Sequence, residues 1–175
     1  MKATKIILLF LVFFFVACGY KPSAKFARNV LGEKVSTFIV IQKENPENAV
    51  IIKDAIDIAL IDIFHASLVS RNESDSHLII TVLKPTYSPI QYDENGFVIA
   101  YRMKVTLQIK RYSAGEEKIY TTSGFYDFAI EPNAIITDQQ RFNAIKNAAS
   151  KAIVSFIAQV SSEGAIKGEN EDADK

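Results

Sequence analysis

The sequence predicts an α+β fold, a two-layer sandwich in which a four-stranded mixed sheet carries two helices on one face, in the order β-α-β-β-β-α. Three observations predict it. Two long segments repeat apolar residues at helical spacing, and the segment from Tyr101 to Lys110 alternates apolar with polar residues. Turn signals separate the remaining apolar runs. Two amphipathic helices of this length can cover one face of a single sheet.

The first half of the domain supplies one strand and one helix. The run from Val35 to Gln42 is short and rich in β-branched residues, which is typical of a buried strand. Asn45 and Pro46 form a helix-start signature, with Asn45 as the N-cap and Pro46 at the first helical position. The helix predicted from Ala49 to Ala66 contains no Gly or Pro. Its apolar face carries Ile52, Ile56, Ala59, Ile63 and Ala66.

Three strands follow as an antiparallel meander. The strand from His77 to Leu83 continues irregularly from Lys84 to Gln91, because Pro85 and Pro89 cannot donate to a ladder. The segment 93–96 is a turn in which Asn-Gly supplies positive φ angles.

The next strand alternates, and its two faces separate cleanly. The residues predicted to face the core are Tyr101, Met103, Val105, Leu107 and Ile109, and those predicted to face away are Arg102, Lys104, Thr106, Gln108 and Lys110. The segment 114–116 turns the chain again, and the fourth strand runs from Lys118 to Ile130.

The last element is a long helix. Thr137 and Gln140 are spaced as a capping box, in which each side chain satisfies a backbone donor at the helix start. One face then carries Phe142, Ile145, Ala149, Ala152, Phe156 and Val160. Beyond Ser161 the chain is polar, and residues 162–175 are predicted to be a disordered tail.

The N-terminus has the pattern of an export signal. Two lysines precede an apolar run from Ile6 to Val16, which is too short to span a bilayer as a helix. Ala17 before Cys18 resembles the bacterial lipobox, which predicts a signal peptide over 1–17, a lipid-modified, palmitate-bearing Cys18 and a lipidated tether over 18–34. By resemblance to the sorting rules of enterobacterial lipoproteins, Gly19 in place of Asp after Cys18 favours sorting to the outer membrane. The alternative is an ordinary cleaved signal followed by an incidental thiol, although a lone thiol is a liability in an oxidising compartment.

Charge and residue types exclude several functions. Without Lys2 and Lys5 the 20 basic residues fall to 18 against 20 acidic ones, a net charge near −2 that gives no basic surface for nucleic acid. One cysteine and two histidines, His65 and His77, without a metal-binding spacing predict no metal site and no cofactor.

Catalytic patterns are absent as well. His65 beside Asp62 and the pair Asp54 and Asp57 fit a solvated helix face, and Ser123 is not flanked as a nucleophile elbow requires. A secreted enzyme therefore remains only the third hypothesis, with no catalytic residue to name.

A family resemblance points to a function. The resemblance rests on four segments of the chain. They are 18–21 with Cys18-Gly19-Tyr20-Lys21, 92–96 followed by Tyr101-Arg102-Met103, 124–128 with Gly124-Phe125-Tyr126-Asp127-Phe128, and the helix from Asp138 to Val160. In their order and spacing they resemble the lipopolysaccharide (LPS) assembly lipoprotein family, LptE, with residues 35–161 as the family domain. The resemblance implies a non-enzymatic outer-membrane lipoprotein on the periplasmic side, seated inside the β-barrel of LptD. It would assist barrel assembly and LPS insertion. The alternative is an auxiliary lipoprotein of an ABC-type phospholipid transport system.

The LPS contacts of the family do not transfer directly. Some members carry a basic residue in the turn before Asn-Gly and another just before the last helix, where this chain has Asp93, Glu94 and Ile136-Thr137. Candidate cations for LPS phosphates are instead Lys84, Arg102 and Lys104, because charge-assisted donors hold phosphate best. The alternative is a merely solvated strand face.

Overall fold

The computed structural model describes residues 23–40, 53–61 apart from 55 and 59, 67–132 apart from 84, and 134–173. Its helices are α1 (Ser23–Leu31), α2 (the helical residues within 53–61) and α3 (Asp138–Ala173). Its strands are β1 (Lys34–Val40), β2 (Ser67–Leu68), β3 (Ser76–Val82), β4 (Thr86–Tyr92), β5 (Val98–Ser113) and β6 (Glu116–Ala129), and a 3₁₀ turn covers Arg71–Glu73.

One mixed sheet contains all six strands. β1 runs parallel to β2 and β3, whereas β3, β4 and β6 each run antiparallel to β5. β6 pairs with β5 along its whole length, so β3 and β4 lie end to end along the other edge of β5. The break between them falls at Leu83 and Pro85. The predicted mixed sheet is therefore confirmed, with six strands in place of four because β2 is added and the proline-containing strand divides in two.

The core lies between the helices and one face of the sheet. Met103, Val105, Leu107 and Ile109 of β5 are buried there, as the alternation predicted, and Tyr101 is half-buried on the same face. In β3 every second residue is buried. The pattern leaves Arg102, Lys104 and Lys110 on the opposite face.

The start and the packed face of α3 follow the prediction. The Gln140 backbone N–H donates to Thr137 Oγ1 at 3.2 Å, and the Thr137 N–H donates to Gln140 Oε1 at 3.0 Å, which together form the capping box. Ile145, Ala149, Ala152, Phe156 and Val160 are fully buried and Phe142 is half-buried. The helix axis comes close to the sheet at Gly124, where a Cβ would overlap the backbone of Ala148 and Ala152.

The segment 18–34 was expected to be a tether, yet residues 23–31 of it form α1. Ala27, Val30 and Leu31 are buried against the core, a short apolar face at helical spacing. The helix ends at Gly32, whose φ of 76° is left-handed and whose N–H donates to the Arg28 carbonyl at 2.8 Å. This end is the usual glycine C-cap. The tether expectation was therefore wrong for these residues.

The expectation of disorder beyond Ser161 was also wrong, because α3 continues to Ala173. Glu163 accepts a hydrogen bond from Tyr120 Oη at 2.7 Å. Gly164 lies against the Phe26 carbonyl of α1, where a Cβ would overlap it. Tertiary contacts thus hold Glu163 and Gly164, at the start of a segment whose composition suggested a free tail.

The turn between β4 and β5 differs in detail from the prediction. Only Gly96 has a positive φ, 84°, whereas Asn95 does not. Asp93 organises the turn instead, since its Oδ1 accepts hydrogen bonds from the backbone of Asn95 at 2.9 Å and of Phe97 at 2.8 Å. The result is the three-residue hairpin loop in which only the last position is left-handed.

Several expectations fall outside the described residues. They are the signal peptide over 1–17, the lipidation of Cys18, the helix start at Asn45 and Pro46, His65 and Lys84.

Candidate functional site

The sheet face opposite the helices is the candidate site, and we call it the open face. It exposes large apolar side chains, with Phe38 60%, Ile119 52% and Phe125 46% accessible. The strand register places Phe38 beside Ile79, Ile79 beside Lys110 and Lys110 beside Ile119. These four residues therefore form one row across β1, β3, β5 and β6. An exposed apolar set of this kind is typical of an interaction surface.

Most described charges of the open face are paired within it. Arg102 donates from Nε and Nη2 to the two carboxylate oxygens of Asp127, both at 2.7 Å, a bidentate pair between adjacent strands. Hydrogen bonding and charge attraction from Arg102 hold the pKa of the Asp127 carboxyl below its usual value. Lys110 lies 3.9 Å from Glu117. Arg102 is therefore already engaged before any ligand arrives.

Lys104 is placed differently. Its Nζ lies 5.8 Å from the centre of the Phe125 ring, a cation–π contact on the open face. Within the described parts of the chain, Lys104 has no carboxylate partner. The structure thus brings two of the three predicted cations onto one face, two residues apart in β5, and leaves Lys104 the more available of them. Lys84, the third, lies outside the described residues.

An aromatic row lies on the helix side of the sheet, near the β4–β5 turn. Tyr87 and Tyr101 meet edge to face with ring centres 5.6 Å apart, and Tyr101 stacks on Phe128 at 6.1 Å. Every residue of β4 is exposed. The alternation of β5 predicted Tyr101 in the core, but its aromatic partners could not be predicted because they depend on the strand register. The sequence signal that could have indicated this row is the presence of tyrosine or phenylalanine in each of three neighbouring strands.

His77 lies in a polar cluster rather than a metal site. Its Nδ1 is 2.8 Å from Ser36 Oγ, which also bonds to Ser74 Oγ at 2.8 Å. Burial, with a smaller contribution from Arg71, lowers the pKa of the His77 imidazole. Ser36 is buried, so this serine is not open to a substrate. The described residues contain no group of three His, Cys, Asp or Glu side chains placed to hold a metal.

The predicted acidic pair on α2 has a structural role. Asp57 accepts a hydrogen bond from Thr37 Oγ1 at 3.0 Å and pairs with Lys53 one turn earlier. Asp57 therefore ties α2 to β1, and Asp54 is exposed. Across the described residues, none of the helices is both long and apolar enough for a membrane span.

Solved structures similar to this chain include two bacterial lipoproteins. A lipoprotein structure from Caulobacter crescentus CB15 is 10% identical over 82% of this chain and 96% of its own, with a TM-score of 0.50. The minor lipoprotein from Acinetobacter baumannii is 12% identical over 75% of this chain and 92% of its own, with a TM-score of 0.48. The Caulobacter comparison supports the fold alone at this identity. No curated sequence matches the chain.

A family comparison identifies the chain. The model of the lipopolysaccharide-assembly family LptE matches residues 36–160. This range runs from the first strand of the sheet into α3, so it covers nearly the whole sheet, α2 and the part of α3 up to Val160, and it leaves α1 outside. The chain therefore belongs to the LptE lipopolysaccharide-assembly family.

Proposed function

We propose that this chain is a non-enzymatic subunit of the LPS translocon of the outer membrane. A lipid on Cys18 anchors it on the periplasmic side. There it assists assembly of an LptD-like β-barrel and the insertion of LPS into the outer leaflet. The observation that carries the proposal is the family match over residues 36–160, which takes in the whole of the sheet beyond the first residues of β1.

The open face supplies a surface suited to the barrel partner. Phe38, Ile119 and Phe125 are about half exposed, so burying them would remove apolar area from water. Arg102 with Asp127, and Lys110 with Glu117, enter such an interface already paired. A paired charge costs less to bury than an unpaired one, so this face can meet a partner without a new counter-ion for each charge.

Lys104 is the first candidate for a contact with LPS phosphate. It lies on the open face above Phe125 without a carboxylate partner among the described residues. Arg102 is the second, because a phosphate would have to compete with Asp127 for its guanidinium. Lys84 stays a candidate from the sequence alone.

Affinity purification from detergent-solubilised envelopes tests the proposal. A tagged full chain should recover a large outer-membrane β-barrel protein in stoichiometric amount. The alternative function, in an ABC-type phospholipid transport system, predicts inner-membrane permease and substrate-binding components instead. Recovery of neither set, from a preparation in which the tagged chain is folded and lipidated, would reject the translocon assignment.

A further inference from the structure

A cleft of about 530 Å³ lies on the helix side of the sheet, away from the open face. Its lining residues come from β6 and α3 and are Lys118, Tyr120, Gln159, Glu163 and Ile166. The function proposed above uses none of them. Behind the cleft is Arg111 of β5, which the register places directly opposite Lys118.

Two cations and one carboxylate lie in and directly behind the cleft. Glu163 Oε2 accepts from Lys118 Nζ at 2.8 Å and from Tyr120 Oη at 2.7 Å, and Arg111 Nη2 lies 3.5 Å from Glu163 Oε1. Burial opposes ionisation of Glu163, but the bonds from Lys118 and Tyr120 and the charge of Arg111 hold its pKa below the usual value. One carboxylate thus faces two cations on neighbouring strands, where like charges repel.

Arg111 is the least satisfied member of the cluster. It is 3% exposed, and its Nη1 donates to the Val30 carbonyl at 3.1 Å. Its Nε finds no hydrogen-bond partner within the described structure. Burying a guanidinium is costly when one of its N–H groups has no acceptor and when its carboxylate partner, Glu163, is shared with a second cation, Lys118. A second anion near Lys118 would offset the excess positive charge, which is the electrostatic part of that cost.

We propose that the cleft binds a phosphate-class anion. Lys118, which is about half exposed at its side chain, and the Gln159 amide would donate to it, and Arg111 would contribute charge from behind Glu163. Ile166, 59% exposed, and the Tyr120 ring form an apolar wall beside this position. The same chemistry fits inorganic phosphate and the phosphate of a lipid headgroup. The site goes beyond the translocon function and does not depend on the barrel partner.

Calorimetric titration of the full chain in a neutral, phosphate-free detergent tests the site. The probes are inorganic phosphate and n-butyl phosphate, which shares the anion and adds a short alkyl chain. Lys118→Gln should weaken binding of both by about tenfold, the loss of one charge-assisted hydrogen bond. Glu163→Gln should tighten binding by about fivefold, because it removes a competing negative charge. Lys110→Gln is the matched control, since Lys110 lies on the open face and pairs with Glu117.

Binding of either probe would support the site, and the ratio of their affinities distinguishes a lipid headgroup from free phosphate as the source of the anion. Butyl phosphate binding about tenfold more tightly than inorganic phosphate would indicate a lipid headgroup, because part of the alkyl chain is buried. Equal affinities would indicate free phosphate. Absence of saturable binding of either probe to the folded chain would overturn the proposal, as would equal losses in Lys118→Gln and Lys110→Gln. Recovery of the barrel partner by Lys118→Gln should be unchanged, which separates this test from that of the translocon function.

Discussion

Gly124 of β6 lies directly under the backbone of Ala148 in α3, so close that a Cβ at Gly124 would overlap the Ala148 carbonyl. The contact sets the distance between the long helix and the sheet, because no side chain separates their backbones at this point. Both residues lie within the family domain, and both are fully buried.

Gly124→Ala should therefore destabilise the fold. The added methyl group must push α3 away from β6, and we expect the free energy of unfolding to fall by about 3 kcal/mol, at the upper end for overpacking. Urea denaturation followed by circular dichroism measures this. Thr121→Ala is the control, since Thr121 is exposed on the open face, and it should cost less than about 1 kcal/mol. Equal costs for the two variants would contradict the close approach.

The strands and α3 could be predicted because their signals are local. The alternation of β5 and the capping box at Thr137 and Gln140 lie within single elements, and the structure confirms both. β2 could not be predicted, because it has two residues and forms only by pairing with Lys34 and Val35. An element could be predicted when its pattern lay within its own residues, and could not be predicted when it formed only by pairing with a distant segment.

α1 and the end of α3 were missed for a tertiary reason. Phe26 of α1 packs on Gly164, and neither segment has a long apolar face of its own. The two segments meet only in the folded chain, so no local pattern in either one predicted their contact. The candidate site shows the same limit, because Arg102 and Asp127 are 25 residues apart in the chain and only the β5–β6 register makes them neighbours.

Gly164→Val should loosen α1 while the sheet stays folded. Its side chain would overlap the Phe26 carbonyl, so α1 should detach from α3. Amide hydrogen exchange within 26–31 should quicken at least tenfold, whereas exchange in β5 should stay within about twofold of the wild type. Ser162→Ala, at an exposed position of the same helix, should change neither. Unaltered exchange in α1 of Gly164→Val would show that this crossing does not hold the helix.

The pKa of Asp127 should depend on Arg102. In the folded chain that pKa lies below the ordinary value, so the contribution of the pair to folding is present above pH 4 and is lost as the pH falls through the lowered pKa. Arg102→Gln should raise the pKa of Asp127 toward its ordinary value, which carboxyl-carbon NMR titration can follow. Lys110→Gln, which removes a cation paired with Glu117 instead, should leave it unchanged. A pKa that does not respond to Arg102→Gln would argue against the bidentate pair in solution.

Cys18→Ala tests the predicted anchor. If Cys18 carries the lipid, the variant should appear in the soluble periplasmic fraction or accumulate with its signal uncleaved. Intact-mass analysis of the wild-type chain from its native membrane should show the added mass of the acyl groups. Membrane fractionation identical to the wild type, with a free thiol by mass, would contradict lipidation. Ser23→Ala, a nearby small polar position, should fractionate as the wild type does.

Site-specific photocrosslinking in intact cells tests the central claim most directly. A benzophenone side chain at Ile119 of the open face should capture a large β-barrel protein of the outer membrane, identified by mass spectrometry. The same group at Val154, exposed on α3, is the matched position on the other side of the sheet. We predict that the Ile119 product contains an LptD-like barrel and exceeds the Val154 product severalfold. Capture of an inner-membrane permease component, or of no barrel from Ile119, would contradict the account.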